Sequence, residues 1–261
     1  MADQKPIIEL RGIKKSFHVG DQDIQILKGV DTNIDHGDFV ILFGASGCGK
    51  STLLHIVLGL EGPSEGTMTF LGEDFYRDGT DEDYRSEFRK RHIGMIYQQP
   101  NWIKSLSVLE NIAFPLTLIG LDKPAAFKRA LESLDIVGMT DWKNYVPTEL
   151  SSGQQQRIAL ARGIINNPEI IIADEPTGNL DHEAGQKLME ILLGFNQNAG
   201  KTILMVTHDL EYIKYCKTAI RMVDGVIVGT YRGEDKDNMF KDLHFKRGVI
   251  NNDENKSKAS S

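Results

Sequence analysis

The chain has 261 residues, 40% of them hydrophobic and 26% charged, which is globular composition with apolar material for one large domain or two small ones. Lys and Arg number 30 against 37 Asp and Glu, and the formal charge of −7 argues against nucleic acid as the main partner, because phosphate binding needs a basic face. Cys48 and Cys216 form no CxxC pair, no secretory signal opens the chain, and no apolar run approaches the roughly 20 residues that span a bilayer, so a soluble protein without a disulfide framework is expected.

In chain order, Ile7–Phe17 opens with strand-like alternation. The apolar run Phe39–Phe43 reads as a buried strand feeding a glycine turn at Gly44. Leu53, Ile56, Val57 and Leu60 fall at i, i+3, i+4 and i+7 and predict a helix stopped by Gly62-Pro63. Gly66–Leu71 is a further strand, Asp81–Arg91 an exposed amphipathic helix with Tyr84 and Phe88 four apart, and Ile93–Gln98 a strand. From about Pro100 to Asn166 the pattern is helical, with Ser107 and Glu110 spaced as a cap and Pro124 and Gly138 bracketing another helix. Glu169–Asp174 returns to a strand, followed by a helix over His182–Asn198, a strand over Lys201–Thr207 and a short helix over Asp209–Tyr215. Ala219–Val223 and Gly225–Tyr231 are two strands around a turn at Asp224-Gly225. Strands alternating with helices imply an α/β core with a mostly parallel sheet, interrupted by an inserted helical subdomain. The chain divides at about residue 231 into this domain and a polar extension, in which Asn238–Phe245 has the pattern of a short amphipathic helix and Asn251–Ser261 the composition of a disordered end.

The segment Gly44-Ala45-Ser46-Gly47-Cys48-Gly49-Lys50-Ser51-Thr52 satisfies G-x-x-x-x-G-K-[ST] in the required context, after a strand and at the start of a helix. Its glycines let successive backbone N–H groups turn inward on phosphate oxygens, and the helix beyond aims its positive end at the same place. Lys50 can reach the β- and γ-phosphates of a nucleotide, the Ser51 hydroxyl can ligate Mg²⁺, and Thr52 can contact the α-phosphate. A chance match in a glycine-rich turn is the alternative. A second apolar strand ends in two acids, Asp174 and Glu175. A buried strand end is a costly place for paired carboxylates unless a cation and a phosphate are there. Asp174 is the candidate for the Mg²⁺ shell and Glu175 for polarising the attacking water; the alternative is two solvated loop acids.

Leu150-Ser151-Ser152-Gly153-Gln154, followed by Gln155-Gln-Arg-Ile-Ala-Leu-Ala-Arg162 and lying ahead of Asp174, resembles the signature of ABC ATPases. The resemblance runs from about Ile7 to Tyr231 and rests on several motifs in order. It implies a P-loop NTPase core with an N-terminal antiparallel β subdomain and an inserted α-helical subdomain, binding ATP and Mg²⁺. It further implies that Phe17 stacks on adenine (its alternative is core packing) and that Gln98 touches Mg²⁺ and senses the transporter, with Gln99 a rival by one position. Gly178–Asp181 matches the loop that crosses the dimer interface, and His208 the histidine that contacts the γ-phosphate. In the family two copies form a head-to-tail sandwich, so Ser151, Ser152, Gly153 and Gln154 of one copy would face the nucleotide held by the phosphate loop of the other. Ser152 stands where the family usually has Gly, which puts the local geometry in question.

The stretch Asp174-Glu-Pro-Thr-Gly-Asn-Leu-Asp181, with Glu110-Asn111 and Pro115-Leu116, resembles the LolD, MacB and FtsE group. That likeness implies a peripheral subunit on the cytoplasmic face of a bacterial inner membrane, driving an integral membrane permease and through it a periplasmic adaptor. The expected work is lipoprotein release or export of a lipid, peptide or drug. The alternatives are control of cell-wall hydrolysis without a solute, or an ATPase acting on nucleic acid.

Overall fold

The computed structural model describes residues 6–77 and 81–239. The tail Asn251–Ser261 and most of the helix expected over Asn238–Phe245 lie outside the described residues. Residues 233–239 are helical; there Lys236 Nζ donates to the Cys216 carbonyl at 2.8 Å, and Met239 packs against the core.

Strands β1 (Ile8–Val19), β2 (Gln22–Ile34), β4 (Glu65–Phe70) and β5 (Glu73–Asp74) form an antiparallel sheet in the order β2-β1-β4-β5. β2 has no counterpart among the strands expected from the sequence. Its outer half is exposed and its pairing with β1 slips register three times, so its side chains do not alternate cleanly between apolar and polar.

The second sheet has the order β10-β9-β3-β8-β7-β6, from β3 (Phe39–Phe43), β6 (Ile93–Tyr97), β7 (Ile170–Asp174), β8 (Thr202–Thr207), β9 (Thr218–Val223) and β10 (Val226–Arg232). All neighbours pair in parallel except β10 with β9. Both faces of this sheet are covered. Phe39, Ile41 and Phe43 of β3 point into one core with helices α3 (Val108–Leu118), α4 (Lys123–Ile136), α5 (Ser152–Ile164) and α6 (His182–Ala199). Val40 and Leu42 point into the other, with α1 (Lys50–Val57) and the antiparallel sheet. Two-sided burial is why β3, β7 and β8 read as unbroken apolar runs.

Local chemistry sets the helix ends. α2 (Glu82–His92) starts at Asp81, whose side chain accepts from the Tyr84 N–H, and it buries Phe88 edge-on to Phe70 and Phe75. Reciprocal capping boxes, Ser107 with Glu110 and Ser151 with Gln154, open α3 and α5. α1 stops at Val57, earlier than the apolar periodicity to Leu60 predicts. Gly59 takes φ 68° and the Leu60 N–H turns back to the His55 carbonyl at 2.9 Å, a left-handed glycine stop that precedes Gly62-Pro63.

Candidate functional site

In a parallel sheet the carboxyl ends of all strands share one edge, which is where α/β folds bind ligands. Here that edge carries the residues singled out in the sequence: β3 leads into the phosphate loop, β6 into Gln98, β7 ends in Asp174-Glu175, and β8 runs into His208. An open cavity of about 710 Å³ lies over these ends. Gly44, Ala45 and Ser46 line it together with Gln98, Glu175 and His208, and with Phe43, Leu210 and Arg221.

The phosphate loop is held by close backbone packing. A Cβ at Gly44 would collide with the Met222 carbonyl of β9, so only glycine lets the chain leave β3 at this point. The Lys50 ammonium is buried and donates to the Gly44 and Ala45 carbonyls, both at 2.9 Å, which holds it inside the loop. Cys48 is also buried, its sulfur 4.0 Å from Lys50 Nζ, and its carbonyl accepts from the Gly225 N–H. Ser51 and Thr52 occupy the first turn of α1.

Glu175 adopts φ 45°, a left-handed conformation that is rare for a residue with a side chain and concentrated at functional sites. Its N–H donates to the Val206 carbonyl at 2.8 Å, tying the strained residue to β8. One Glu175 carboxylate oxygen lies 2.6 Å from Nδ1 of His208, so the two side chains form a pair spanning β7 and β8. Burial holds the neighbouring Asp174 carboxyl above its usual range, the charge of Glu175 raises it further, and His55 and Lys50 pull it back. Two adjacent carboxylates with one of them disfavoured as an anion are a fit environment for a divalent cation. Among the described residues no three His, Cys, Asp or Glu side chains gather as a metal site by themselves. Mg²⁺ held by Ser51, Asp174 and Gln98 would therefore complete its shell with phosphate oxygens and water, which is its ordinary preference.

Not every expected site residue enters the cavity. Ser152 borders a second recess of about 300 Å³ with Gln99, Pro100, Asn179, Leu180 and Gln98, the last shared with the cavity, while Ser151 and Gln154 are occupied in capping α5. Phe17 lies on the β1–β2 ladder, 37% exposed, with Lys15 Nζ 5.1 Å from its ring centre. Its cross-strand partner is Ile24, 45% exposed, so the two present one apolar face. Gln98 leaves β6 at the cavity and Gln99 turns into the recess.

Residues to which the motifs assign no individual role also shape the site. Gln156 is 2% exposed, and its amide nitrogen donates to the Tyr97 and Pro176 carbonyls at 2.8 Å each, with the Gln98 carbonyl at 3.4 Å. It thereby ties the strand end before Gln98 to the turn after Glu175. Asn111 is 1% exposed; its amide binds the carbonyls of Ile103, Leu106 and Ser107, and its oxygen accepts from the Ile103 N–H. Trp102 donates to Gln155 at 2.9 Å and is covered by the Arg162 guanidinium, 4.5 Å from its ring centre. The segment after Gln98 is thus fastened to α3 and α5 at several points. The cap of Ser107 with Glu110 was legible in the sequence, but the work of Asn111 as a loop clamp was not.

Comparison with known proteins decides the family. The ABC transporter family model matches residues 27–178. The chain belongs to the ABC transporter family. An uncharacterized ABC transporter ATP-binding protein of Methanocaldococcus jannaschii, MJ1508, is 44% identical over 222 residues, covering 85% of this chain and 98% of that protein. The macrolide export ATP-binding/permease protein MacB of Bdellovibrio bacteriovorus is 42% identical over 221 residues; the match covers 85% of this chain but 33% of MacB. Among solved structures, the ATP-binding cassette MJ0796, described as dimeric in a post-hydrolysis state with ADP and Pi, superposes with a TM-score of 0.80 at 37% identity, covering 86% of this chain and 98% of that one. The chain is an ATP-binding ABC ATPase of the group that includes MacB. The expected fold, a P-loop core with an antiparallel β subdomain and inserted helices, is the one observed.

Proposed function

We propose that this ABC ATPase is the motor subunit of a LolD/MacB/FtsE-type complex, working as an ATP-closed pair of identical chains against an integral membrane partner. One observation carries the reading. Lys50, Glu175, His208 and Gln98 converge on one cavity or its loop, whereas Ser151–Gln154 lie outside it. The signature residues then meet the nucleotide only if a second copy presents them across it. The dimeric form described for MJ0796 agrees with this.

In this reading Phe17, with Ile24 beside it, supports adenine, and the backbone of Gly44–Thr52 wraps the phosphates. Lys50 exchanges its loop carbonyls for the β- and γ-phosphates. Glu175 accepts a hydrogen bond from the attacking water, and His208, already paired to Glu175, steadies that carboxylate and the γ-phosphate. Mg²⁺ held by Ser51, Asp174 and Gln98 would offset phosphate charge. ATP joins two surfaces that separate once the γ-phosphate is gone, so binding energy becomes motion by mass action.

The membrane partner is taken on the helical layer. Ile103, held on Asn111, and Phe114 and Leu118, three and seven residues beyond Asn111 on α3, expose an apolar line at the end of the segment that begins with Gln98. No helix among the described residues is long and apolar enough to cross a membrane. In this reading the subunit works on the cytoplasmic face of a bacterial inner membrane, where its partner releases lipoprotein or exports a lipid, peptide or drug, and reaches a periplasmic adaptor.

Glu175→Gln tests the reading. The variant should bind ATP, lose turnover by about 100-fold or more, and run as a dimer in ATP but not in ADP. Near-normal turnover, or a monomer in saturating ATP, would sink it. Co-purification in detergent from the native host should recover a multi-spanning protein.

A further inference from the structure

Arg221 is the one charged residue of strand β9, and it lines the nucleotide cavity. It pairs in parallel register with Phe43, the residue immediately before the phosphate loop, and strands so paired lie about 5 Å apart. Its neighbour Met222 makes the backbone contact that only glycine tolerates at Gly44. The guanidinium therefore starts from the wall of the loop, on the side of the cavity opposite Gln98.

The other nitrogen-bearing side chains argued to meet phosphate, Lys50 and His208, are engaged. Lys50 donates to two loop carbonyls and His208 is paired with Glu175. The Arg221 guanidinium has no hydrogen-bond or ion-pair partner among the described residues, and the residue is exposed. A guanidinium presents five N–H donors in a planar fork suited to a phosphate oxygen pair. Glu175, the one carboxylate lining the cavity, is occupied by His208, so the natural complement of this fork is an anion arriving with the ligand.

Resting on the proposed nucleotide site, we infer that Arg221 is a further phosphate-binding residue, engaging the terminal phosphate of ATP from the side opposite Gln98 and so favouring the triphosphate over the diphosphate. No step of hydrolysis is assigned to it.

The test is equilibrium titration of Mg-ATP and Mg-ADP onto the full chain at protein concentrations that keep it monomeric, for wild type, Arg221→Gln, Arg221→Lys and Lys50→Ala. Arg221→Gln should weaken ATP by about tenfold and leave ADP within about twofold, the size expected for one charge-assisted contact. Arg221→Lys should fall between. Equal losses for ATP and ADP, or none for either, would overturn the assignment. So would unchanged monomer affinities joined to loss of the ATP-dependent dimer in a Glu175→Gln background, since that outcome gives Arg221 to a carboxylate of the second copy. Lys50→Ala separates the two levels: if it binds both nucleotides like wild type, the phosphate-loop reading itself has failed. If it loses both while Arg221→Gln is silent, only the role of Arg221 has failed.

Discussion

Replacing Gln156 by Leu keeps the side-chain volume near constant and removes the amide, both its N–H donors and its oxygen. In the native protein its two N–H groups serve the Tyr97 and Pro176 carbonyls at 2.8 Å, with Gln98 sharing at 3.4 Å. The residue is 2% exposed, so water cannot take over these bonds without rearrangement. Leaving two such carbonyls unpaired costs about 1–3 kcal/mol each. Part of this is offset, because the Gln156 Oε1 is itself buried without a partner and the substitution removes it. The net expectation is a loss of about 2–4 kcal/mol, or about 5–15 °C in Tm for a domain of this size. The functional effect should be uneven. Lys50 and its loop do not touch Gln156, so ATP affinity should change by less than about threefold. Gln98 and the turn after Glu175 lose their common anchor, and a misplacement of about 1 Å costs turnover on the order of 100-fold. Urea unfolding, nucleotide titration and phosphate release check the three parts. Unchanged unfolding, or affinity falling as far as turnover, would refute the idea that this amide holds two catalytic segments in mutual register.

Asp174→Asn should abolish Mg²⁺-dependent turnover while raising the Tm of the nucleotide-free protein. The folded Asp174 carboxyl titrates above its unfolded value, so its contribution is complete below the unfolded pKa and is lost as pH rises through the folded one. The gain should therefore be seen near pH 7, at about 2–4 °C per kcal/mol relieved, and vanish near pH 4; a variant no more stable at pH 7 than at pH 4 contradicts the burial argument. Ser152→Gly, at the first turn of α5 and outside the cavity, should leave monomer ATP affinity unchanged and alter turnover only at concentrations that support the dimer. An affinity change in the monomer would bring Ser152 into its own chain's site. Asn111→Ala removes four hydrogen bonds to the segment from Ile103 to Ser107, and hydrogen exchange there should accelerate at least tenfold while α1 stays protected. Equal acceleration in both places would mean a global effect.

Much of this protein is local in origin and so legible in one dimension. The strand-glycine-helix order around Gly44–Thr52, the acids closing β7 and the capping spacing of Ser107 and Ser151 need only neighbours in the chain to act. Buried parallel strands announce themselves because both faces are apolar. The same logic misses β2, whose exposed half and shifted register with β1 break the alternation, and places the end of α1 at Leu60, because apolar periodicity does not register a glycine turning left-handed at Gly59. What lies across the fold depended on tertiary structure. Gln156 meets carbonyls 59 and 20 residues away. Arg221 reaches the phosphate loop only through strand pairing with Phe43. The sequence by itself marked out Gly44–Thr52 as the candidate phosphate loop, because that pattern is contiguous along the chain. Only the folded chain decided which site residues share a cavity and that Ser151–Gln154 stand outside it, because strand order and helix packing, not spacing along the chain, set those distances.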